Sequence, residues 1–95
     1  MINRLNFEGY IEKIIFRNSQ VVKFTVVNQV KGKTKRITAT LFNSDDLVML
    51  FNSVDNLLGR LVVVVGEIYE QNYKDKKTNE WINTYCVQVD KIVER

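Results

Sequence analysis

The stretch GEIYEQNYKDKKTNEW, Gly66–Trp81, sets three large rings, Tyr69, Tyr73 and Trp81, beside Lys74, Lys76 and Lys77. A second basic stretch, QVKGKTKR, carries Lys31, Lys33, Lys35 and Arg36, and Phe42 closes the run that follows it. Rings offer flat apolar faces, and ammonium and guanidinium groups neutralise anions. Together they suit a flat, anionic partner, its rings stacked and its charges met along a groove. The same residues have plainer uses. Trp81 shares parity with Tyr85, Val87 and Val89, which places it in the packing of a sheet. Tyr69 is either a stacking ring or one half of a cross-strand pair. Tyr73 lies near a hairpin tip, where core burial is hard, and is read as a ligand residue. Phe42 either joins the binding face or packs on the start of a helix. The lysines of both turns serve solubility equally well.

Catalysis finds few candidates. The chain has no histidine, the commonest general acid–base group and metal ligand. Its one cysteine, Cys86, has no histidine to activate it and reads as a small buried or half-buried side chain. No CxxC, HExxH or glycine-rich phosphate loop is present. Asp45 and Asp46 follow Ser44 and precede an apolar run, so they read as the first turn of a helix rather than as metal ligands. The expectation is a binding module with no catalytic residues, no metal and no cofactor.

At 95 residues the chain has room for one domain, residues 1–95, and one modest core. No apolar run approaches the ~18 residues of a membrane span. The N-terminus lacks the continuous apolar stretch of a signal peptide, and a lone cysteine forms no internal disulfide. The expected compartment is the cytoplasm, with no membrane partner. Net charge is +3, unevenly spread. Residues 1–41 carry eight cations against two acids, whereas residues 42–95 are net negative. A basic N-terminal half favours polyanions, although charge of this size also suits an ordinary solvated face.

The elements that must position these residues follow from periodicity. In residues 2–16, Leu5, Phe7, Gly9 and Ile11 share one parity, and Arg4, Asn6, Glu8, Tyr10 and Glu12 the other. Gly9 on the inward side suggests a bend or bulge. After a turn at Arg17–Gln20, VVKFTVVN is a second strand with Val22, Phe24 and Val26 inward and Lys23 and Thr25 outward. Gln29–Lys35 reads as a basic loop centred on Gly32. RITATLFN is a third strand, with Ile37, Ala39 and Leu41 on one face and Arg36, Thr38, Thr40 and Phe42 on the other. The period then changes. Ser44 reads as an N-cap, Leu47, Leu50, Phe51, Val54, Leu57 and Leu58 recur at helical spacing with a break near Asn52–Ser53, and Gly59 is the stop. LVVVVGEIYEQNY and TNEWINTYCVQVDKIV are the fourth and fifth strands, joined by the KDKK turn. Three strands, a helix and two strands make the order of an all-β, five-stranded Greek-key OB-fold barrel with the helix between strands 3 and 4.

Within that order the residues resemble a known family. MINR with an inward Gly9 in LNFEGYI, then VVKFTVVN, ITATLFN and LVVVVGEIYEQNYKDKKTNEW, resemble in sequence order the four strands and long hairpin of bacterial and phage single-stranded DNA-binding proteins. The resemblance covers nearly the whole chain. It implies sequence-tolerant binding of single-stranded DNA in replication, recombination or repair, and the small size of the chain points to a phage or mobile element as a source. It places Phe42 and Tyr73 where the family stacks bases. Arg36 stands where another stacking aromatic often sits, and a guanidinium plane can also stack. Arg4, Tyr10 and Lys23 fall near the path of the strand. Thr38 lies on the same outward face. Lys31, Lys33, Lys35, Lys74, Lys76 and Lys77 would supply cations, and Tyr69 a further ring.

The family's acidic tail is missing after KIVER, which puts recruitment of replication enzymes in doubt. The chain equally resembles related primosomal accessory proteins. A protein-interaction subunit of a primase, polymerase or helicase complex is therefore the alternative, and RNA is a possible ligand in place of DNA. If Val62, Val64, Gly66 and Ile68 face the barrel, then Leu61, Val63 and Val65 face outward. They are read, with Ile2, as the interface of a homo-oligomer, a dimer or tetramer as in the family. Burial under the chain's own helix or loop is the other explanation.

Overall fold

The computed structural model describes residues 1–95. The alternating segments form five strands: β1 (Leu5–Arg17), β2 (Val21–Val30), β3 (Lys33–Phe42), β4 (Leu61–Lys74) and β5 (Trp81–Glu94). A short helix, α1 (Val48–Ser53), and a 3-10 turn (Val54–Leu57) lie between β3 and β4. The strands close into a barrel in the order β1-β2-β3-β5-β4. Every neighbouring pair is antiparallel except β3 and β5, which run parallel. This is the Greek-key OB-fold barrel that the element order predicts.

Inward parity is obeyed where the barrel is closed. Ile11, Val22, Phe24, Val26, Ala39, Leu41, Val62 and Val64 are fully buried, and Phe51 and Val54 of the helical segment join the same core. β1 pairs with β4 through Leu5–Tyr10 and with β2 through Tyr10–Arg17, so it turns a corner between two partners. Gly9 sits at that corner, where a Cβ would collide with the Val27 carbonyl. Two irregularities in the β1–β2 register, at Glu12 and Ile15, then turn successive side chains out of strict alternation.

Several local expectations are corrected. Gln29–Lys35 is not a loop: the β2–β3 ladder runs out to Val30 and Lys33. Lys31 and Gly32, both at positive φ (53° and 78°), close it in a two-residue hairpin turn. The helix starts later than its apolar period implies. Residues 45–47 form a turn closed by the Leu47 amide donating to the Ser44 carbonyl, so Ser44 is not its N-cap and Asp45 and Asp46 precede it. The change from α to 3-10 geometry falls at Ser53–Val54, where the Ser53 hydroxyl donates to the Met49 carbonyl (2.8 Å). Gly59, at φ +78°, does end the segment.

Candidate nucleic-acid interface

Strand pairing determines which candidates share a surface. On the outer face of β2 and β3, Val21 lies beside Phe42, Lys23 beside Thr40, Thr25 beside Thr38 and Val27 beside Arg36. β1 adds Phe16 beside Lys23, Lys13 beside Thr25 and Tyr10 beside Val27. Phe42, Lys23, Thr38, Arg36 and Tyr10 therefore lie along one continuous outer face. Phe42, Tyr10 and Phe16 are all substantially exposed.

The β4–β5 hairpin borders this face. Residues on its front are Tyr69, Gln71 and Tyr73 of β4, paired with Cys86, Thr84 and Ile82 of β5. A groove of about 380 Å³ forms between hairpin and barrel, lined by Ile15, Lys23, Thr38, Gln71, Tyr73, Thr84 and Cys86. It brings together three predicted residues from three strands: Lys23, Thr38 and Tyr73. Ile15, exposed at the second irregularity of β1, is a contributor that parity alone misses, because the register shift has no marker in the sequence. Cys86 is buried, as its type suggests, with its thiol 3.0 Å from Oε1 of Gln71.

Tyr69 is placed differently from Tyr73. Its hydroxyl donates to Oγ1 of Thr40 (3.1 Å), bracing the hairpin against β3. Thr40, expected on the solvent side, is only 1% exposed. The seam where β3 meets β5 runs through Thr40 and Gln88, and Tyr69 lies across it.

Arg36 is not a free guanidinium. Its Nε and Nη2 donate to the Glu12 carboxylate at 3.2–3.4 Å, and the Thr25 hydroxyl donates to the same group at 3.0 Å. The hydrogen bond from Arg36, then that from Thr25, holds the Glu12 carboxyl below the ordinary carboxylate range, and the hydrogen bond to Glu12 in turn raises the pKa of the Arg36 guanidinium. Glu12 faces this outer surface, as its shared parity with Tyr10 implies.

The remaining cations are scattered. Lys31, Lys33 and Lys35 line a separate cleft with Asn28 and Val30 at the end of the β2–β3 arm. Alternation puts Lys33 and Lys35 on the opposite side of that arm from Arg36. Lys74, Lys76 and Lys77 are exposed at the hairpin tip, where Asp75 organises the turn by accepting from the Lys77 amide (2.8 Å). Tyr10 lines a cleft with Glu8, Asn28 and Leu61, away from Tyr73. Arg4 is exposed on the segment before β1 and lines none of these clefts.

Trp81 does not pack in the sheet as its parity suggests: it is 70% exposed, and Tyr85 is 66% exposed. The hairpin runs past the closed barrel, so the parity that is inward at Val87 and Val89 has nothing to pack on at Tyr85 and Trp81. Ile68, expected inward, is exposed for the same reason. Of the expected outward stripe, Leu61 and Val63 are half-buried, but Val65 is buried between Asn6 of β1 and Lys91 of β5 at the register shift before Gly66. Val93, paired with Val63, extends the stripe in its place. Ile2 is fully exposed. No group of histidine, cysteine or carboxylate side chains is arranged to hold a metal ion, and no helix is long and apolar enough to cross a membrane.

No protein-family model matches the sequence, and no curated protein matches it. Solved structures do match. The mitochondrial single-stranded DNA binding protein Rim1 of S. cerevisiae is 18% identical, with a TM-score of 0.70 over 99% of this chain and 96% of its own. An SSB of Plasmodium falciparum, solved as a complex with ssDNA, is 13% identical, with a TM-score of 0.74 over 100% of this chain and 96% of its own. The likeness extends over nearly the full length of each pair of chains, and the fold of this protein is the OB-fold of those single-stranded DNA-binding proteins.

Proposed function

We propose that the protein binds single-stranded DNA without catalysis and with little regard to sequence, as a component of DNA replication, recombination or repair. The observation that carries this reading is the groove in which Lys23, Thr38 and Tyr73 converge from three strands. A cation, a hydroxyl and an aromatic ring are the groups needed to meet a phosphate, a sugar or base edge, and a base face. Phe42 and Phe16 extend the same outer face with further rings. The fold shared with single-stranded DNA-binding proteins supports the reading. The decisive measurement is fluorescence anisotropy of labelled oligo(dT), about 30–40 nucleotides long, across a salt series with duplex as competitor. Preference for the single strand and affinity that falls steeply with salt are expected. Equal competition by duplex would refute the reading.

The alternative, a subunit that docks on a primase, polymerase or helicase and binds nucleic acid weakly alone, is favoured by one observation: Glu12 neutralises Arg36 in the middle of the outer face. It predicts weak binding by the isolated protein and tight binding in the complex. Homo-oligomerisation through the outer face of β1, β4 and β5 is supported by Leu61, Val63 and the exposed Val93 and Ile2. Sedimentation as a monomer at micromolar concentration would count against it.

A further inference from the structure

β3 and β5 are joined by only two residue pairs, Ala39–Val87 and Thr40–Gln88. The preceding residues of each strand pair elsewhere, β3 with β2 and β5 with β4. A notch therefore separates the two arms. The front groove opens into it, and so does a second cleft of about 310 Å³ on the back, lined by Leu5, Ile68 and Tyr85 among others. Thr38, Thr84 and Cys86 line both, so the two clefts meet along the notch.

The back of the hairpin carries its own sequence of groups. Pairing sets Ile68 beside Val87, Glu70 beside Tyr85, Asn72 beside Asn83 and Lys74 beside Trp81. The two rings are four residues apart on one strand, roughly 13 Å at about 3.3 Å per residue, with the paired amides between them. The core of a protein–protein interface is a contiguous apolar patch. Here exposed rings alternate with amides and end at a lysine, which is the composition of a track for a single strand. Glu70 is the acid on this strip, and it accepts a hydrogen bond from Asn72 (2.8 Å).

We propose that a bound single strand passes from the front groove through the notch between β3 and β5 and continues along the back of the β4–β5 hairpin. There Tyr85 and Trp81 stack its bases, the Asn72 and Asn83 amides meet base edges, and Lys74 meets a phosphate. The hairpin would then be held between two parts of one strand rather than laid against one side of it. This rests on the single-strand reading above.

Trp81 is the protein's one tryptophan, so its fluorescence reports the back face alone. Labelled oligo(dT) of increasing length is titrated, with anisotropy reporting binding and Trp81 emission reporting contact. Short oligonucleotides that fill the front groove should bind without quenching, and longer ones should quench. Tyr85→Ala and Trp81→Ala, both at exposed positions, should leave short-oligonucleotide affinity unchanged and remove at least fivefold of the affinity gained with length. Tyr73→Ala should weaken both. Binding without quenching at any length, together with wild-type length dependence in both back-face variants, overturns the passage and leaves the front groove standing. Altered sedimentation of Tyr85→Ala or Trp81→Ala with unchanged length dependence makes the face a subunit contact and overturns the passage too. Absence of anisotropy change at every length overturns the single-strand reading itself.

Discussion

The hydroxyl of Tyr69 offers a test that separates a structural ring from a ligand ring. Tyr69→Phe removes one oxygen and keeps the ring. The lost bond is 3.1 Å long and ends on Thr40, which is 1% exposed and so has no water to turn to. A typical internal hydrogen bond contributes about 0.5–1.5 kcal/mol net, and an orphaned buried polar group costs about 1–3 kcal/mol. Tyr69 is itself only partly buried, which argues for the lower end, about 1 kcal/mol. In a domain of this size that lowers Tm by roughly 4–8 °C. Thr40→Val alone should cost a similar amount. The double variant should recover most of the loss, because replacing both partners leaves nothing unpaired. The assay is thermal unfolding by circular dichroism for the four proteins of the cycle, with Tyr73→Phe as control. Affinity for oligo(dT) should follow stability, with Tyr69→Phe binding as wild type at temperatures where it is folded. A Tyr69→Phe transition within a degree of wild type would refute the strut, as would strictly additive losses in the double variant.

Other expectations follow from the same geometry. Tyr73→Ala should cost about 1–3 kcal/mol of single-strand affinity, the range of one stacked base, with Tm and the salt dependence unchanged. Lys23→Ala should instead lower the slope of log affinity against log salt by about one unit, as for one lost phosphate contact; an unchanged slope would remove Lys23 from the interface. Gly66→Ala would drive a Cβ into the Gln88 carbonyl across the β4–β5 ladder, and overpacking of this kind costs about 1–3 kcal/mol, read as a lower Tm. Glu12→Gln should release Arg36 and tighten single-strand binding a few-fold. The Glu12 carboxyl is depressed in the folded state, so the pair's contribution is complete above the ordinary carboxylate range and is lost as pH falls through the lowered value. The gain of Glu12→Gln over wild type should therefore persist from pH 8 to pH 5 and vanish only in stronger acid; equal affinities at neutral pH would show that Arg36 does not reach the ligand.

Strands were legible because a half-buried sheet has a period of two. Val22, Phe24 and Val26 declare their face without help from the rest of the chain. What parity could not supply was extent of cover. Trp81 and Val89 share a parity, yet one lies beyond the barrel and the other inside it, because β3 stops accompanying β5 after two pairs. Val65 is buried at a register shift that parity does not mark, and Thr40 because a tyrosine from another strand reaches over it. The groove was legible in part: Lys23, Thr38 and Tyr73 converge, whereas the lysines of the β2–β3 arm lie apart from it. Glu12 escaped notice because its link to Arg36 spans 24 positions and reaches across β2, between two strands that do not pair with each other. Ser44 misled because its turn only leads into the helix.

The run LVVVV is the kind of segment that seeds fibrils: short, β-branched, uncharged and free of proline. In the folded protein it occupies the one place where that tendency is harmless. β4 is flanked there by β1 on one side and β5 on the other, so both rows of its backbone groups are already paired within the chain. No template for further strand addition is offered by these five residues. The exposure comes during synthesis, because β5 follows β4 in the chain and Leu61–Val65 must wait for it. The danger of misassembly is thus confined to a brief interval before closure, and a destabilised barrel would lengthen it.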